Sequence, residues 1–556
     1  MKESTAQDSA SKAQAKPIEN DYVRFETLSA LVIDDISAMR HAIRSQLQSL
    51  GMNNVSVTSN AEDALRMIES INFDLILCDY NLNKSSSGQH FLEHLRTERI
   101  LSATTIFVML TAETEYSYVA SAVEFLPDDY LVKPCSEAKL RSRLVRLIDR
   151  RSFLMPVLKA INVRQYELAL KLCDKLLNIA PDDRRRMDVL RHKAEVHSIL
   201  HDYPAMQQTF TQAAAIRDDV PWVMLGLART CHALGEIEPA GEIAQTLIEQ
   251  NPHYVAAYEL LAKVRLETDQ EEEAYELLTR SALILPSAKR HRAVSQAAYL
   301  LGKLAEAKLS TEAAIRLSSG SMVERSGDFL SLAQIQVDLG ELKEALDTLE
   351  RRGKKYGNVG LFGVAKDAIR AQAYFDSGEK AKAKKLIEHA TSLLAARKNG
   401  FIINVLGKSS LKAGDVMQGL KLLTRAIQVS GRDELRIARH VKRSMMDTGH
   451  QDKIEQVIDG GRKRILSLID ECSKLMRTAQ FEAAYQKVLE ALEIQDENIE
   501  ALLTAAQLHL LWLKHSGRDA AVMARARSYL AALDKLVPNH PKVMNFYRFF
   551  NEIVSQ

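Results

Sequence analysis

The sequence lacks the features of membrane, disulfide-rich and zinc-binding proteins. No run of about 18 apolar residues occurs in its 556 positions, which predicts no membrane insertion. Its five cysteines are scattered without a CxxC pair, so we expect reduced thiols in a cytoplasmic protein. The polar segment 1–25 lacks the apolar core of a secretory signal, and we predict a disordered tail there.

An excess of charge and the common catalytic motifs are also missing. The 74 basic and 72 acidic residues give a formal charge of +2, which does not predict a surface that coats nucleic acid. No P-loop, HExxH or GxSxG motif occurs, and no recognition helix is apparent, so neither an enzyme of those classes nor nucleic-acid binding is expected. A chain of this length predicts several domains or a repeat array.

Residues 26–150 alternate short apolar runs with amphipathic helical segments. This alternation predicts a doubly wound α/β domain with a five-stranded parallel sheet. Such sheets bind ligands beyond the carboxyl ends of their strands. The five runs are "ALVI" at 30–33, "VSVT" at 55–58, "DLILC" at 74–78, "TIFVML" at 105–110 and "YLV" at 130–132.

Residues 151–556 have a different pattern, a helical repeat whose clearest copy is "LGEIEPAGEIAQTLIEQNP" at 234–252. Ala240 recurs as Ala274, and Pro252 as Pro286, each 34 residues later. A small residue is needed where two helices cross closely, and proline ends the second helix of a unit. Weaker copies place the small residue at Ala169, Ala307, Ala345, Ala383, Gly419 and Ala526.

This pattern resembles the tetratricopeptide repeat, a helix–turn–helix unit of about 34 residues. We count about ten units, with irregular spacing beyond residue 290. The resemblance implies an all-α solenoid whose concave surface binds an as yet unknown protein or peptide. A solenoid that only acts as a scaffold is the alternative.

Polar residues stand where the predicted strands end. They are Asp34 and Asp35 after the first strand, Asp79 after the third, Thr111 after the fourth and Lys133 after the fifth. In a sheet of this type the first strand lies between the second and the third, so these side chains converge on one edge. Two like charges 4 Å apart repel by about 4 kcal/mol at an effective dielectric constant of 20. A hard cation with oxygen ligands would offset that repulsion, which favours Mg²⁺, and Lys133 and Thr111 suit phosphoryl oxygens.

These motifs, in this order, resemble the receiver domain of two-component response regulators, a flavodoxin-like fold. The resemblance implies that Asp79 accepts a phosphoryl group. It implies that Asp35 and Asp79 bind Mg²⁺ directly and Asp34 through water, with the backbone carbonyl of Asn81 as a further ligand. Phosphoryl-binding and switch roles fall on Thr111, Ala112, Lys133 and Tyr130, and the two positions that tune phosphoryl hydrolysis are Asn81 and Glu113.

One segment departs from the family pattern. After Asp79 the chain reads "YNLNKSSSG", without the usual methionine–proline step, and Gly88 comes nine residues after the aspartate. We predict a loose, more mobile polar loop here. Such a loop would affect the metal geometry and the kinase docking surface.

The sequence therefore predicts a response regulator of a bacterial two-component phosphorelay. Its partners would be a sensor histidine kinase or phosphotransfer protein, and a second protein bound by the repeats. It would be a phosphoacceptor rather than an enzyme, with at most autophosphorylation from small donors and autodephosphorylation. One alternative is a phosphate sink or antagonist of a kinase shared with another regulator. Another, which the near-neutral charge opposes, is a transcription factor with an unrecognised DNA-binding unit.

Overall fold

The computed structural model describes residues 24–83, 86–98, 100–111, 127–319, 323–356, 360–394, 397–537 and 541–555. These form two compact units, the first up to residue 164 and the second from residue 165 onwards. The helix Glu137–Asn162 runs across residue 150, where the sequence placed the domain boundary. Phe25, assigned to the disordered tail, starts a short 3₁₀ helix and is buried, whereas residues 1–23 lie outside the described part.

The first unit contains a five-stranded parallel sheet, which confirms the predicted fold class. The strands are β1 Ser29–Ile33, β2 Asn54–Thr58, β3 Leu75–Asp79, β4 Ile106–Thr111 and β5 Asp129–Val132. The strand order is β2-β1-β3-β4-β5, so β1 lies between β2 and β3 as expected. Every strand residue of β3 and β4 is buried, which is why these strands read as continuous apolar runs.

Four helices of this unit are described: α1 Ser37–Ser49, α2 Ala61–Ser70, α3 Gly88–Thr97 and α4 Glu137–Asn162. Leu47 of α1 and Leu144 of α4 are fully buried and share one apolar core with the strand residues Val32 and Leu77. These helices therefore pack against the sheet through that core. The helix predicted between β4 and β5 falls on residues 112–126, outside the described part.

The second unit is all-helical in its described residues, as predicted. None of the described helices of the chain is both long and apolar enough to cross a membrane. Those of the second unit are α5 Tyr166–Ile179, α6 Asp183–Ile199, α7 Tyr203–Ile216, α8 Pro221–Ala233, α9 Ile237–Gln250, α10 Val255–Glu267, α11 Glu271–Ile284, α12 Ala288–Leu300, α13 Leu304–Ser318, α14 Ser326–Asp338, α15 Leu342–Tyr356, α16 Gly360–Asp376, α17 Lys380–Leu394, α18 Gly400–Lys412, α19 Val416–Gln428, α20 Glu434–Asp447, α21 Ile454–Arg477, α22 Phe481–Ile494, α23 Ile499–Ser516, α24 Ala520–Leu536 and α25 Pro541–Ser555.

The small residues of the repeat lie where helices pack closely, as predicted. The repeat alanines Ala169, Ala240, Ala274, Ala307, Ala345, Ala383 and Ala526 are all completely buried. At Gly419 a Cβ atom would lie 2.6 Å from Leu411 Cδ2, so any larger residue would displace the Leu411 side chain. Helices α9 and α11 end two residues before Pro252 and Pro286, as the repeat pattern indicated.

Helices far apart in the sequence also meet within the second unit. The Nε2 atoms of Gln296 on α12 and His440 on α20 lie 3.3 Å apart, across a sequence separation of 144 residues. Arg439 Nε donates to Glu271 Oε1 over 2.9 Å. In a simple repeat array each unit contacts only its neighbours. This array therefore curls back on itself between residues 271 and 447.

Candidate functional site

Three carboxylates meet at the ends of β1 and β3. Asp34 and Asp35 directly follow β1, and Asp79 is the last residue of β3. Because Ile33 pairs with Cys78 in the parallel register, the residues that follow each of them lie side by side. One oxygen from each carboxylate lies within 4.8 Å of the others. Asp34 and Asp79 are buried and Asp35 is exposed, so the cluster opens to solvent on one side.

Lys133, which directly follows β5, lies beside the carboxylates at the same edge of the sheet. Its Nζ lies 2.9 Å from Asp34 Oδ2 and 2.9 Å from Asp79 Oδ2. The Lys133 backbone N–H donates to the Thr111 carbonyl over 2.6 Å, which places the buried Thr111 at the same edge. One lysine against three carboxylates leaves a formal charge of −2 on these four side chains.

The pKa values at the site follow from burial and from these contacts. Burial raises the pKa of Asp79 and Asp34 adds to the rise, while Lys133 and the backbone N–H of Asn81 oppose it. Burial alone would lower the pKa of Lys133, but its hydrogen bonds to Asp79 and Asp34 raise it overall. Lys133 is therefore a fixed cation beside a carboxylate whose charge is only partly compensated.

A comparison with known families identifies this unit. Residues 30–145 match the family model of the response regulator receiver domain. The first unit is a receiver domain. Its homology to chemotaxis regulators supports a response-regulator role in general terms.

Relatives of the receiver domain cover only that part of the chain. Chemotaxis protein CheY-3 of Vibrio cholerae serotype O1 is 28% identical over 125 residues, which is 22% of this chain and 95% of the relative. A CheY-like receiver domain structure from Methylobacillus flagellatus is 26% identical, covers 22% of this chain and 98% of its own, and has a TM-score of 0.20. A tetratricopeptide repeat protein from Parabacteroides merdae is 14% identical, covers 47% and 98%, and has a TM-score of 0.36.

The segment after Asp79 is more regular than the sequence suggested. Asn81–Asn83 and Ser86–Ser87 pair as a short antiparallel hairpin, so the prediction of a loose loop was wrong for these residues. Ser87 caps α3, since its Oγ accepts from the His90 N–H over 3.2 Å. A Cβ atom at Gly88 would lie 2.2 Å from the Asp79 carbonyl oxygen. Glycine therefore allows α3 to start directly against the end of β3.

Arg40 is a part of the site that the sequence analysis missed. Its guanidinium donates to the Asp34 backbone carbonyl over 2.6 Å, and Asp34 Oδ1 accepts from the Ile36 N–H over 2.9 Å. These bonds fix the turn between β1 and α1, and with it the Asp34 side chain. A basic residue in the first turn of a helix opposes the helix dipole. This unfavourable position of Arg40 was the feature of the sequence that could have indicated its role.

The remaining predicted residues are placed as follows. Tyr130 is half-buried on β5 opposite Met109, and burial raises its pKa well above the ordinary value. Asn81 is exposed, and the structure gives its backbone N–H a bond to the Asp79 carboxylate. Its carbonyl as a metal ligand stays a prediction. Ala112 and Glu113 lie outside the described residues.

The receiver site has the chemistry of a magnesium site. Its donors are carboxylate oxygens, which Mg²⁺ prefers, and their excess negative charge calls for a further cation. Because Asp35 is exposed, an ion can reach the cluster from solvent on that side. Within the described ranges, no other group of three or more acidic, histidine or cysteine side chains is as close together. The residues present therefore fit this ion.

Proposed function

We propose that this protein is a response regulator of a two-component phosphorelay, in which Asp79 accepts a phosphoryl group and the helical unit binds a partner protein as output. One observation carries the proposal. A buried strand-terminal carboxylate lies 2.9 Å from the half-buried Lys133, within a cluster that retains a net negative charge. The carboxylate supplies a nucleophilic oxygen, and the lysine beside it supplies a cation that can bind phosphoryl oxygens.

The donor would be a phosphohistidine on a sensor kinase or phosphotransfer protein. An Asp79 carboxylate oxygen forms a bond to phosphorus while the phosphorus–nitrogen bond breaks, and the electron pair returns to the imidazole ring, which takes up a proton. Lys133 and the Thr111 hydroxyl donate to the phosphoryl oxygens. When bound by Asp34, Asp35, Asp79 and the Asn81 carbonyl, Mg²⁺ would offset the charge on those oxygens.

The response would spread from the edge of the sheet. A phosphoryl group on Asp79 would draw Thr111 and Tyr130 inward and bias a two-state face of the receiver domain. Reversing a 1:99 equilibrium requires a preference of about 5.5 kcal/mol for one state. The helical unit supports the output part of the proposal, because stacked helical hairpins present an extended binding surface.

Labelling with a small acyl phosphate tests the phosphoacceptor. The full-length protein should gain one phosphoryl group, detected by intact mass, when Mg²⁺ is present and should gain none with a chelator. Asp79→Ala should abolish the gain. Asp63→Ala on α2, which removes a half-exposed aspartate from the same domain, is the matched control and should label normally.

The chemistry of the product distinguishes Asp79 from the serines nearby. An acyl phosphate on aspartate is cleaved by hydroxylamine, whereas a serine phosphate is not. Labelling that survives in Asp79→Ala, or that resists hydroxylamine, would show that the phosphoacceptor is elsewhere.

A further inference from the structure

A cavity of about 730 Å³ lies inside the helical unit. Its volume is within the range of about 300–1,000 Å³ typical of ligand sites. It is open to solvent on one side, and α20 borders it where Gln296 of α12 and His440 of α20 lie 3.3 Å apart. Representative lining residues from its five main helices are Gln296 of α12, Gln334 of α14, Phe362 of α16, Asn404 of α18 and His440 of α20.

The charged side chains deep in the cavity neutralise one another. Arg292 donates to both oxygens of Asp328, over 2.8 and 2.9 Å. Lys408 is paired with two aspartates outside the lining, Asp338 at 2.9 Å and Asp447 at 2.7 Å. None of these groups is left to bind a charged ligand. The interior therefore favours a neutral part of an occupant.

Asn404 points to hydrogen bonding by that occupant. The residue lines the cavity and is 4% exposed, and its Oδ1 makes no hydrogen bond to any residue in the described ranges. A buried carbonyl oxygen without a donor is unfavourable, so a ligand N–H would be bound there. Phe362 and Phe401 add aromatic surface to the wall. Peptide backbone next to an apolar side chain matches both features.

The mouth of the cavity carries two uncompensated cations. Arg325 and Lys398 line it and are exposed, and neither forms an ion pair with a residue that the structure describes. The third exposed cation, Arg436, is already paired with Asp433. Two free cations at the entrance favour carboxylates on whatever enters.

We propose that this cavity binds an acidic peptide segment of the partner protein. An apolar side chain would lie against Phe362 and Phe401, a backbone N–H would donate to Asn404 Oδ1, and flanking Asp or Glu side chains would pair with Arg325 and Lys398. This inference rests on the proposed function, since it assigns the binding role of the helical unit to one site.

Selection from a random heptapeptide display library on the immobilised full-length protein tests the site. We expect enriched peptides to carry Asp or Glu beside a large apolar residue. Synthetic copies should bind about tenfold more weakly to the double variant Arg325→Glu/Lys398→Glu than to the wild type. This difference in affinity should become smaller as the salt concentration is raised, because salt screens exposed charges. Asn404→Ala should weaken binding about fivefold, the value of one hydrogen bond.

The matched control is Lys384→Glu/Lys385→Glu, which makes the same change in charge on the exposed part of α17 and should leave binding unchanged. Basic or purely apolar peptides, no enrichment at all, or equal binding to the cavity variants would overturn the proposal. Binding of inorganic phosphate or free nucleotides that depends on Arg325 and Lys398 would also overturn it, in favour of a small-anion site. The same selection on Asp79→Ala separates the two proposals. Because the cavity does not include the phosphoacceptor, the acidic peptides should be enriched on this variant too, whether or not Asp79 is phosphorylated in the wild type.

Discussion

Each unit of the molecule contains a lysine between two aspartates, Lys133 half-buried and Lys408 buried, yet the two clusters differ in charge balance. In the receiver domain Lys133 lies 2.9 Å from both Asp34 and Asp79. In the helical unit Lys408 lies 2.9 Å from Asp338 and 2.7 Å from Asp447. Distances and residue types are nearly the same, so the contacts of the lysine alone do not reveal a functional site.

The residues around each lysine make the difference. Asp447 Oδ1 also lies 2.9 Å from Arg443 Nε, and Asp338 accepts from the Tyr299 hydroxyl over 2.8 Å. Two cations thus balance two carboxylates in a cluster whose lysine side chain is only 2% exposed. The receiver cluster has a third, exposed carboxylate, and its second cation, Arg40, binds the Asp34 backbone carbonyl and not a carboxylate. A closed neutral cluster stabilises a fold, whereas an open cluster with excess charge is suited to bind a cation and to react.

The largest effect should come from breaking the closed cluster. Lys408→Met would leave Asp338 buried without its cation and should lower the free energy of unfolding of the helical unit by about 3–5 kcal/mol. Denaturant unfolding followed by tryptophan fluorescence measures this, because both tryptophans, Trp222 and Trp512, are in the second unit.

The control for that measurement is Lys412→Met on the same helix. Lys412 pairs with Asp376 nearer the surface, and its loss should cost about 1 kcal/mol or less. If Lys408→Met were no more destabilising than Lys412→Met, the two lysine clusters would not differ as argued.

A smaller effect should follow from the histidine beside the closed cluster. Burial lowers the pKa of His440 to about 3, and Arg436 and Lys408 add to the shift. Its other contacts are uncharged: Gln296, and the rings of Tyr299 and Phe401. Unfolded histidine takes up a proton near pH 6.5 while folded His440 stays neutral, so stability should fall as the pH drops from about 6.5 towards 3. At pH 5 the loss should be about 2 kcal/mol.

His440→Gln separates this contribution from those of other groups. The variant retains a side chain that can bond to Gln296 but does not titrate. Its unfolding free energy, measured from pH 7 to pH 5, should fall less steeply than that of the wild type by the amount given. Parallel curves for the two proteins would show that His440 is not buried as the structure has it.

The sequence predicted the open cluster far better than the closed one. Apolar runs mark the strands, and the handedness and order of parallel sheets then bring Asp34, Asp79 and Lys133 to one edge. Lys408 gives no such signal, because a lysine in "LGKSSLKAG" reads as an ordinary exposed residue of a helix. Its burial depends on α20 meeting α12 across 144 residues, and a helical period does not encode a contact at that distance.

Gly88 and Asn404 were missed for a related reason. Gly88 matters because a Cβ atom there would lie only 2.2 Å from the Asp79 carbonyl oxygen. That distance depends on where α3 starts. Asn404 matters because its buried side chain lines the cavity. In both cases the residue type is common, and only the packed neighbours give it a role.

The smallest effect should have the opposite sign and occurs at the open cluster. Asp79→Asn removes one of three mutually repelling carboxylates and leaves Lys133 its bond to Asp34, so the receiver domain should gain about 1 kcal/mol of stability without divalent metal. Hydrogen exchange of the peptides that contain β1 and β3 measures this, since the receiver domain has no tryptophan. Asp447→Asn, the equivalent change at the closed cluster, should instead destabilise the helical unit, because it takes a partner from both Lys408 and Arg443. Two variants of the same kind with effects of opposite sign would show that the carboxylates of the receiver cluster are in excess, whereas those of the helical cluster are balanced.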